Sequence, residues 1–242
     1  MTAHHPPRGD VAVLVAAAGA GERLGAAAPK AFCDLAGTPL LLHALRRLAA
    51  APSVAHLVVA VPPGHRTRVE TMVSGEVGVP VSVVDGGATR QESVRRALLR
   101  VPIGYAVILV HDAARALAPP ELVERVAAAV RSGHPAVIPV LPVVDTIKRV
   151  GADGMVLDTV DRSDLRAVQT PQGFRRDVLE AAHAAAAGPA TDDAALAERI
   201  GVTVHCVPGA EEALKITRPF DLAVAELLLS RPVIGGGRTL AS

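Results

Sequence analysis

The residues from Val11 to Lys30, VAVLVAAAGAGERLGAAAPK, combine the groups that a nucleoside triphosphate needs. Gly19, Gly21 and Gly25 let the backbone take positive φ and approach a ligand closely, while Arg23 and Lys30 set two permanent cations beside the exposed N–H groups of such a loop. The apolar run Val11 to Ala17 that feeds the loop is short enough for a strand and reads as buried on both faces. Two better-known phosphate loops do not fit. A P-loop requires Gly-Lys-Ser/Thr, which occurs nowhere in the chain. The dinucleotide fingerprint accommodates Gly19 and Gly21 but meets Leu24 at its third glycine, and the next strand-like run ends Val59-Ala60-Val61-Pro62 without an acid for a ribose.

Three further groups of residues carry chemistry. Tyr105 to Val110 is the most apolar strand-like run and ends in His111-Asp112-Ala113-Ala114-Arg115. An acid at the carboxyl end of a central parallel strand lies where such sheets bind ligands. Asp112 there can hold a magnesium ion bridging triphosphate oxygens, because magnesium prefers hard oxygen ligands and takes few from the protein. In Asp85-Gly86-Gly87-Ala88-Thr89-Arg90-Gln91-Glu92-Ser93, the glycines and Ser93 can hold a base through backbone and hydroxyl contacts, or form a plain strand-to-helix turn. Of the 25 Lys and Arg residues only Lys30, Lys148 and Lys215 are lysines. Where arginine is the default, a lysine is kept for its compact, swinging ammonium. His111 reads as packing or a hydrogen bond, since the nine histidines show no metal-ligand spacing.

The elements that must position these groups alternate. Helices are expected from Thr38-Pro39 (hydroxyl cap, then proline in the first turn), over His65 to Ser74, from Thr89 to Arg100 on a Thr89/Glu92 capping box, and over Pro119 to Ser132. Strands are expected at His56 to Val61, Val81 to Val84, Tyr105 to Val110 and Ala136 to Val140. This is the rhythm of an α/β protein with a parallel sheet covered by helices. The rhythm breaks at 145–161, where two polar β segments flank Gly151-Ala152-Asp153-Gly154. Such a hairpin, too polar for a core, reads as an arm at about 143–164 that pairs with another subunit, with Thr146 and Arg162 at its roots in reach of a ligand. Gln169-Thr170-Pro171-Gln172-Gly173-Phe174 reads as a tight uncharged loop before a helix from Arg175 to Ala187. A helix capped by Thr191-Asp192-Asp193, a strand at Thr203 to Val207, an extended Leu214-Lys215-Ile216-Thr217 and a last helix from Arg218 follow, with a disordered glycine tail expected at 234–242.

Composition excludes several classes. A net charge of +1 gives no support to a nucleic-acid or membrane surface. No run approaches ~18 uninterrupted apolar residues, and MTAHHPPRGD lacks an apolar signal core, so the chain reads as a soluble cytoplasmic protein. Cys33 and Cys206 form neither CxxC nor a zinc pattern and read as reduced thiols. With one Tyr, three Phe and no Trp in 242 residues, the core of this single expected domain must be built from Ala, Val and Leu.

The pattern G-x-G-x-R-x-G followed by Pro-Lys resembles the signature loop of nucleotidyltransferases that join a sugar phosphate to a nucleoside triphosphate. Six segments in order, AAAGAGERLGAAAPK, DGGATRQESV, VHDAAR, DTIKRV through TVDR, QTPQGF and LKITRPFDL, resemble one family across about Val11 to Leu229: the 2-C-methyl-D-erythritol 4-phosphate cytidylyltransferases of the non-mevalonate isoprenoid route. The resemblance implies a Rossmann-like nucleotidyltransferase fold with a mostly parallel twisted sheet, a homodimer clasped through the hairpin arms, and magnesium as cofactor. It assigns Arg23 and Lys30 to transition-state charge, Lys215 and Arg162 to the attacking phosphate, Asp112 to the metal, and Thr146 and Arg115 to the substrate phosphate. CTP is expected at Ala17, Ala18, Gly19 and Gly21, with its cytosine at Gly87 and Ser93. In the family the arm residues come from the partner subunit. This chain departs from the pattern at Ala116, where proline often follows the arginine, and at Ala88, where some members carry an acid. Ribitol 5-phosphate cytidylyltransferases share the fold and loops, so the acceptor stays open between two polyols. A non-catalytic nucleotide-binding subunit would have lost some of the motif charges, which are all kept here.

Overall fold

The structure, a computed structural model, describes residues 9–19 and 29–230. Gly21, Arg23 and the glycine tail lie outside the described residues. The chain runs β1 (Val11–Ala16), a 3-10 turn (Lys30–Phe32), β2 (Asp34–Leu35), β3 (Thr38–Pro39), α1 (Leu40–Ala49), β4 (Val54–Val61), α2 (Arg66–Val73), β5 (Val81–Asp85), α3 (Arg90–Leu98) and β6 (Val107–Asp112). It continues with α4 (Pro120–Arg131), β7 (Ala136–Pro142), β8 (Ile147–Val150), β9 (Val156–Val160), β10 (Arg166–Val168), β11 (Gln172–Arg175), α5 (Arg176–Ala184), α6 (Asp193–Arg199), β12 (Val204–Pro208), a second 3-10 turn (Glu211–Ala213) and α7 (Pro219–Ser230).

Among the described residues eight strands form the central sheet, in the order β10-β7-β11-β6-β1-β4-β5, with β12 also on β7. The pairs β5-β4, β4-β1, β1-β6 and β12-β7 are parallel, whereas β11 and β10 run antiparallel to their neighbours. The mixed α/β fold and mostly parallel sheet expected from the alternating pattern are therefore present. β1 is buried on both sides, as its unbroken apolar run requires. Val11, Val13 and Val15 pack with Leu41, Leu45 and Leu48 of α1 and Val123 and Val126 of α4, while Ala12 and Leu14 pack with Val94 of α3, Leu179 of α5 and Leu196 of α6. The core is the expected mass of Ala, Val and Leu, with Phe174 the largest side chain fully enclosed in it.

The order of connection fixes where the sheet opens. From β1 the chain moves outward through β4 and β5, then crosses back past β1 to β6. The carboxyl ends of β1 and β6 therefore border a point where strand order reverses, and Ala16 stands opposite Asp112 across it. Among the described residues the β8/β9 hairpin pairs only with itself, Ile147 opposite Val160, and leaves Met155, Val156 and Leu157 exposed.

Several local expectations are corrected. Thr38 is not a helix cap: Thr38-Pro39 pairs with Asp34-Leu35, Pro39 occupies the cap position of α1, and no side chain caps that helix. The strand expected from Tyr105 starts at Val107 and runs on through His111 and Asp112. QTPQGF is only in part a loop. Gln172–Arg175 is a strand between β6 and β7, entered through a cis Thr170-Pro171 bond. Its glycine misleads when read alone, because the strand needs Gly173 for close approach. A Cβ there would lie 2.6 Å from Val126 Cγ1 and 2.9 Å from Val130 Cγ2 of α4. Gly173→Ala should therefore lower stability by roughly 1–3 kcal/mol through overpacking. An unchanged denaturant midpoint would contradict this packing.

Candidate active site

A cavity of about 680 Å³ opens at the strand-reversal point, lined by Ala16 to Gly19, Lys30, Gly87 to Arg90, Ser93, Asp112 to Ala114, Lys215 and Thr217 among others. Its walls follow from local structure. β1 delivers Ala17, whose N–H donates to Ala60 O at 2.9 Å, and β6 delivers Asp112 and Ala113, the latter donating to Ala16 O at 3.1 Å. The 3-10 turn that begins at Lys30 is anchored by buried Ala31 and Phe32. Gly86 allows the third wall to close, since a Cβ on it would lie 2.4 Å from the Ala18 methyl.

The turn from β5 into α3 is organised by its side chains. Thr89 Oγ1 accepts from Glu92 N at 3.0 Å and caps the helix, as expected. The reciprocal bond is displaced by one residue, because Glu92 accepts from Ala88 N at 2.9 Å. Ser93 is 1% exposed, and its hydroxyl accepts from Gly87 N (3.0 Å) and donates to Thr89 O (2.8 Å). Ser93 thus borders the cavity, but its hydroxyl proton is spent on the turn.

Asp112 is the electrostatic centre. Lys215 Nζ lies 2.7 Å from Oδ2, and Arg90 Nε donates to Oδ1 at 2.7 Å. Burial alone would push this carboxyl up, but the flanking Arg90 and Lys215 cations hold it well below the usual carboxylate range. Its backbone is fixed as well, with Asp112 N donating to Thr170 Oγ1 at 3.0 Å. Lys215 is positioned by its neighbours: Ile216 is fully buried and donates from its N–H to Ala114 O at 2.9 Å. Thr217 and Arg218 both donate backbone N–H groups to Asp221 Oδ2, which fixes the start of α7.

The structure thus brings Ala17, Ala18, Gly19, Lys30, Gly87, Ser93, Asp112 and Lys215 to one cavity from five separate stretches of chain. Arg115, Thr146 and Arg162 do not line it. The guanidinium of Arg115 donates instead to Ala213 O at 2.7 Å and Val168 O at 3.0 Å. Thr146 and Arg162 are exposed at the roots of the hairpin. Among the polar side chains of the lining, sequence reasoning gave no ligand role to Thr89, Arg90 or Thr217. Arg90 does leave a signal: a cation at the first position of α3 faces the positive end of the helix dipole, an unfavourable place without carboxylates nearby.

His111, fully buried, donates from Nε2 to Arg115 O (3.2 Å) and accepts on Nδ1 from Thr170 Oγ1 (3.2 Å), consistent with the structural part expected of it. Burial pushes its imidazole down to about 4. The unfolded chain binds a proton here below its ordinary 6.5, which the folded chain refuses until about 4. This contribution to stability is complete above pH ~6.5 and is lost as pH falls toward 4. The fall in melting temperature between those pH values should be shallower in His111→Gln than in the wild type; equal slopes would contradict it.

Comparison with known proteins places this arrangement. The family described as IspD: 2-C-methyl-D-erythritol 4-phosphate cytidylyltransferase matches residues 11–231. A relative of that name from Frankia casuarinae is 55% identical over 221 residues, covering 91% of this chain and 82% of its own. Another from Saccharopolyspora erythraea is 54% identical over 223 residues, covering 91% and 99%. The crystal structure of the 2-C-methyl-D-erythritol 4-phosphate cytidylyltransferase from Thermus thermophilus matches with a TM-score of 0.74 at 39% identity, over 90% of this chain and 98% of that one. With this sheet, this cavity and matches of this extent, the chain belongs to the IspD family of 2-C-methyl-D-erythritol 4-phosphate cytidylyltransferases.

Proposed function

We propose that the chain transfers a cytidylyl group from CTP to 2-C-methyl-D-erythritol 4-phosphate, giving 4-diphosphocytidyl-2-C-methyl-D-erythritol and pyrophosphate in isoprenoid synthesis. The observation that carries this reading is the cavity at the β1/β6 carboxyl edge. It brings Lys30, Lys215 and Asp112 to one opening, Lys215 paired with Asp112, and lines it further with Ala17 to Gly19 and Gly87. An oxygen of the acceptor phosphate bonds to the α-phosphorus as the bond to the bridging oxygen breaks, and pyrophosphate carries away the electron pair. A phosphate monoester dianion is already nucleophilic, so the site needs no general base. The work left to the protein is to hold two anions together and to neutralise charge as it develops.

Lys30, with Arg23 from the loop outside the described residues, serves the α-phosphoryl charge, and Lys215 serves the acceptor phosphate. Ala17, Ala18, Gly19, Gly21 and Gly87 offer backbone to CTP. Ser93 acts through Gly87, whose N–H it accepts. Among the described residues no three His, Cys, Asp or Glu side chains converge as a metal cage. A single buried carboxylate in the wall of a cavity of about 680 Å³ instead fits magnesium, which takes one or two carboxylates and fills its shell with water and phosphate oxygens. Asp112 is the residue that would hold it, and the chemistry the ion would supply there is to draw charge from the triphosphate oxygens.

Thr146, Arg162 and Arg115 are proposed contacts of the acceptor phosphate, the first two contributed across a homodimer by the hairpin arm. In support, the arm pairs with nothing else among the described residues and exposes Val150, Met155, Val156 and Leu157. No described helix is long and apolar enough to cross a membrane, and the enzyme is proposed to act in the cytoplasm. Pyrophosphate release with CTP and magnesium should depend on acceptor and favour 2-C-methyl-D-erythritol 4-phosphate over ribitol 5-phosphate. Preference for ribitol would overturn the substrate. Lys30→Ala and Lys215→Ala should each lower kcat by ~100-fold or more, and only Lys215→Ala, which takes a cation from buried Asp112, should also lower the melting temperature. Turnover near wild type in either would remove its assigned part.

A further inference from the structure

Behind the cavity, Asp112 leads into a chain of charged groups that no binding role explains. Arg90 reaches two different carboxylates: Nε donates to Asp112 Oδ1 and Nη1 to Asp193 Oδ2, each at 2.7 Å. Asp193, wholly buried at the start of α6, accepts on Oδ1 from His183 Nε2 at 2.9 Å. His183 is itself buried on α5. The neighbouring Asp192 does the capping work, accepting from Ala195 N, so Asp193 is not needed for that purpose.

A carboxylate turns easily about its last bond, because that torsion is broad and nearly two-fold. On Asp112 one oxygen is claimed by a planar guanidinium, and this leaves Oδ2 as the oxygen shared with Lys215 at the cavity. Only a fork of fixed geometry can bind two carboxylates and orient one of them; an ammonium is a point charge and cannot. The anchor also has to be immobile, and Asp193, with both oxygens bonded and no exposure, is.

We infer that Arg90 is a positioning residue that sets the orientation of the Asp112 carboxylate, anchored by Asp193 and, behind it, His183. The inference rests on the proposed transfer reaction, since it deepens the part given there to Asp112. Although Arg90 borders the cavity, both of its ion pairs are to carboxylates of this chain, and its part is to act through Asp112.

The test is a double-mutant cycle. Arg90→Lys keeps the charge and loses the fork, so outright loss of Arg90, which would strand two buried carboxylates, is avoided. Asp193→Asn keeps the shape and removes the anchoring charge, and it carries the same test should Arg90→Lys not fold. Each is made in the wild-type and in the Asp112→Asn background. Two quantities are read: kcat for pyrophosphate release, and Mn2+ binding in the presence of CTP without acceptor, by the loss of the free-ion electron paramagnetic signal. In the wild-type background each variant should lower kcat and weaken Mn2+ binding by ~10-fold or more, as expected for a residue that orients a metal ligand. In the Asp112→Asn background neither should cost anything further. Equal losses in both backgrounds would make the network merely structural and overturn the inference, as would wild-type behaviour of both variants. Because Mn2+ binding needs no acceptor, failure of the proposed reaction is separable: a wild type that shows Arg90-dependent Mn2+ binding but turns over no acceptor overturns the reaction alone.

Discussion

Asp112 is a buried carboxylate at the end of the central strand, and its burial would raise its pKa if nothing compensated. Arg90 and Lys215 compensate, and the consequences spread through the fold. Arg90 has to start α3, Lys215 has to be held by Ile216 against Ala114, and Thr170 has to present its hydroxyl to the Asp112 backbone. Four charges, two of each sign, therefore tie together α3, β6, α6 and the strand-free segment before α7. Removing one partner from such a set leaves an uncompensated charge in a poorly solvating place, and this makes the set interdependent.

The apolar structure around this centre is arranged so that the charges can sit there. A sheet strand buried on both faces has no exposed side for a polar residue, so its first opportunity is its end. β1 runs apolar to Ala16 and β6 to Val110, with only buried His111 between it and Asp112, and they release Ala17 to Gly19 and Asp112 to Ala114 into the same opening. Gly86 and Gly173 let turn, strand and helix come within contact distance, which bulkier side chains would prevent.

What could be read in the sequence was whatever depends on local pattern. The apolar run of β1, the Thr89 cap, the hairpin around Gly151 to Gly154 and the acid ending β6 all follow from neighbouring residues. What could not be read depends on distant partners. Thr38-Pro39 carries a good helix-start signal, yet pairing with Asp34-Leu35 made it a strand. Gln172 to Arg175 looks like a loop because Gly173 and the preceding proline break the pattern, although β6 and β7 supply its hydrogen bonds. Arg90 and Asp193 lie 103 residues apart, so their ion pair left only indirect traces in the chain. Thr146 and Arg162 sit at the roots of the hairpin, as the reading of 145–161 requires, and the cavity they serve on the proposed account belongs to a partner copy.

On the proposed mechanism the triphosphate and its metal meet at Asp112. Calorimetric titration of CTP into the protein, with and without magnesium, tests this most directly. Magnesium should tighten CTP binding by ~10-fold or more in the wild type and leave it unchanged in Asp112→Asn. The same magnesium-dependent gain in both proteins would place the metal elsewhere and contradict the account.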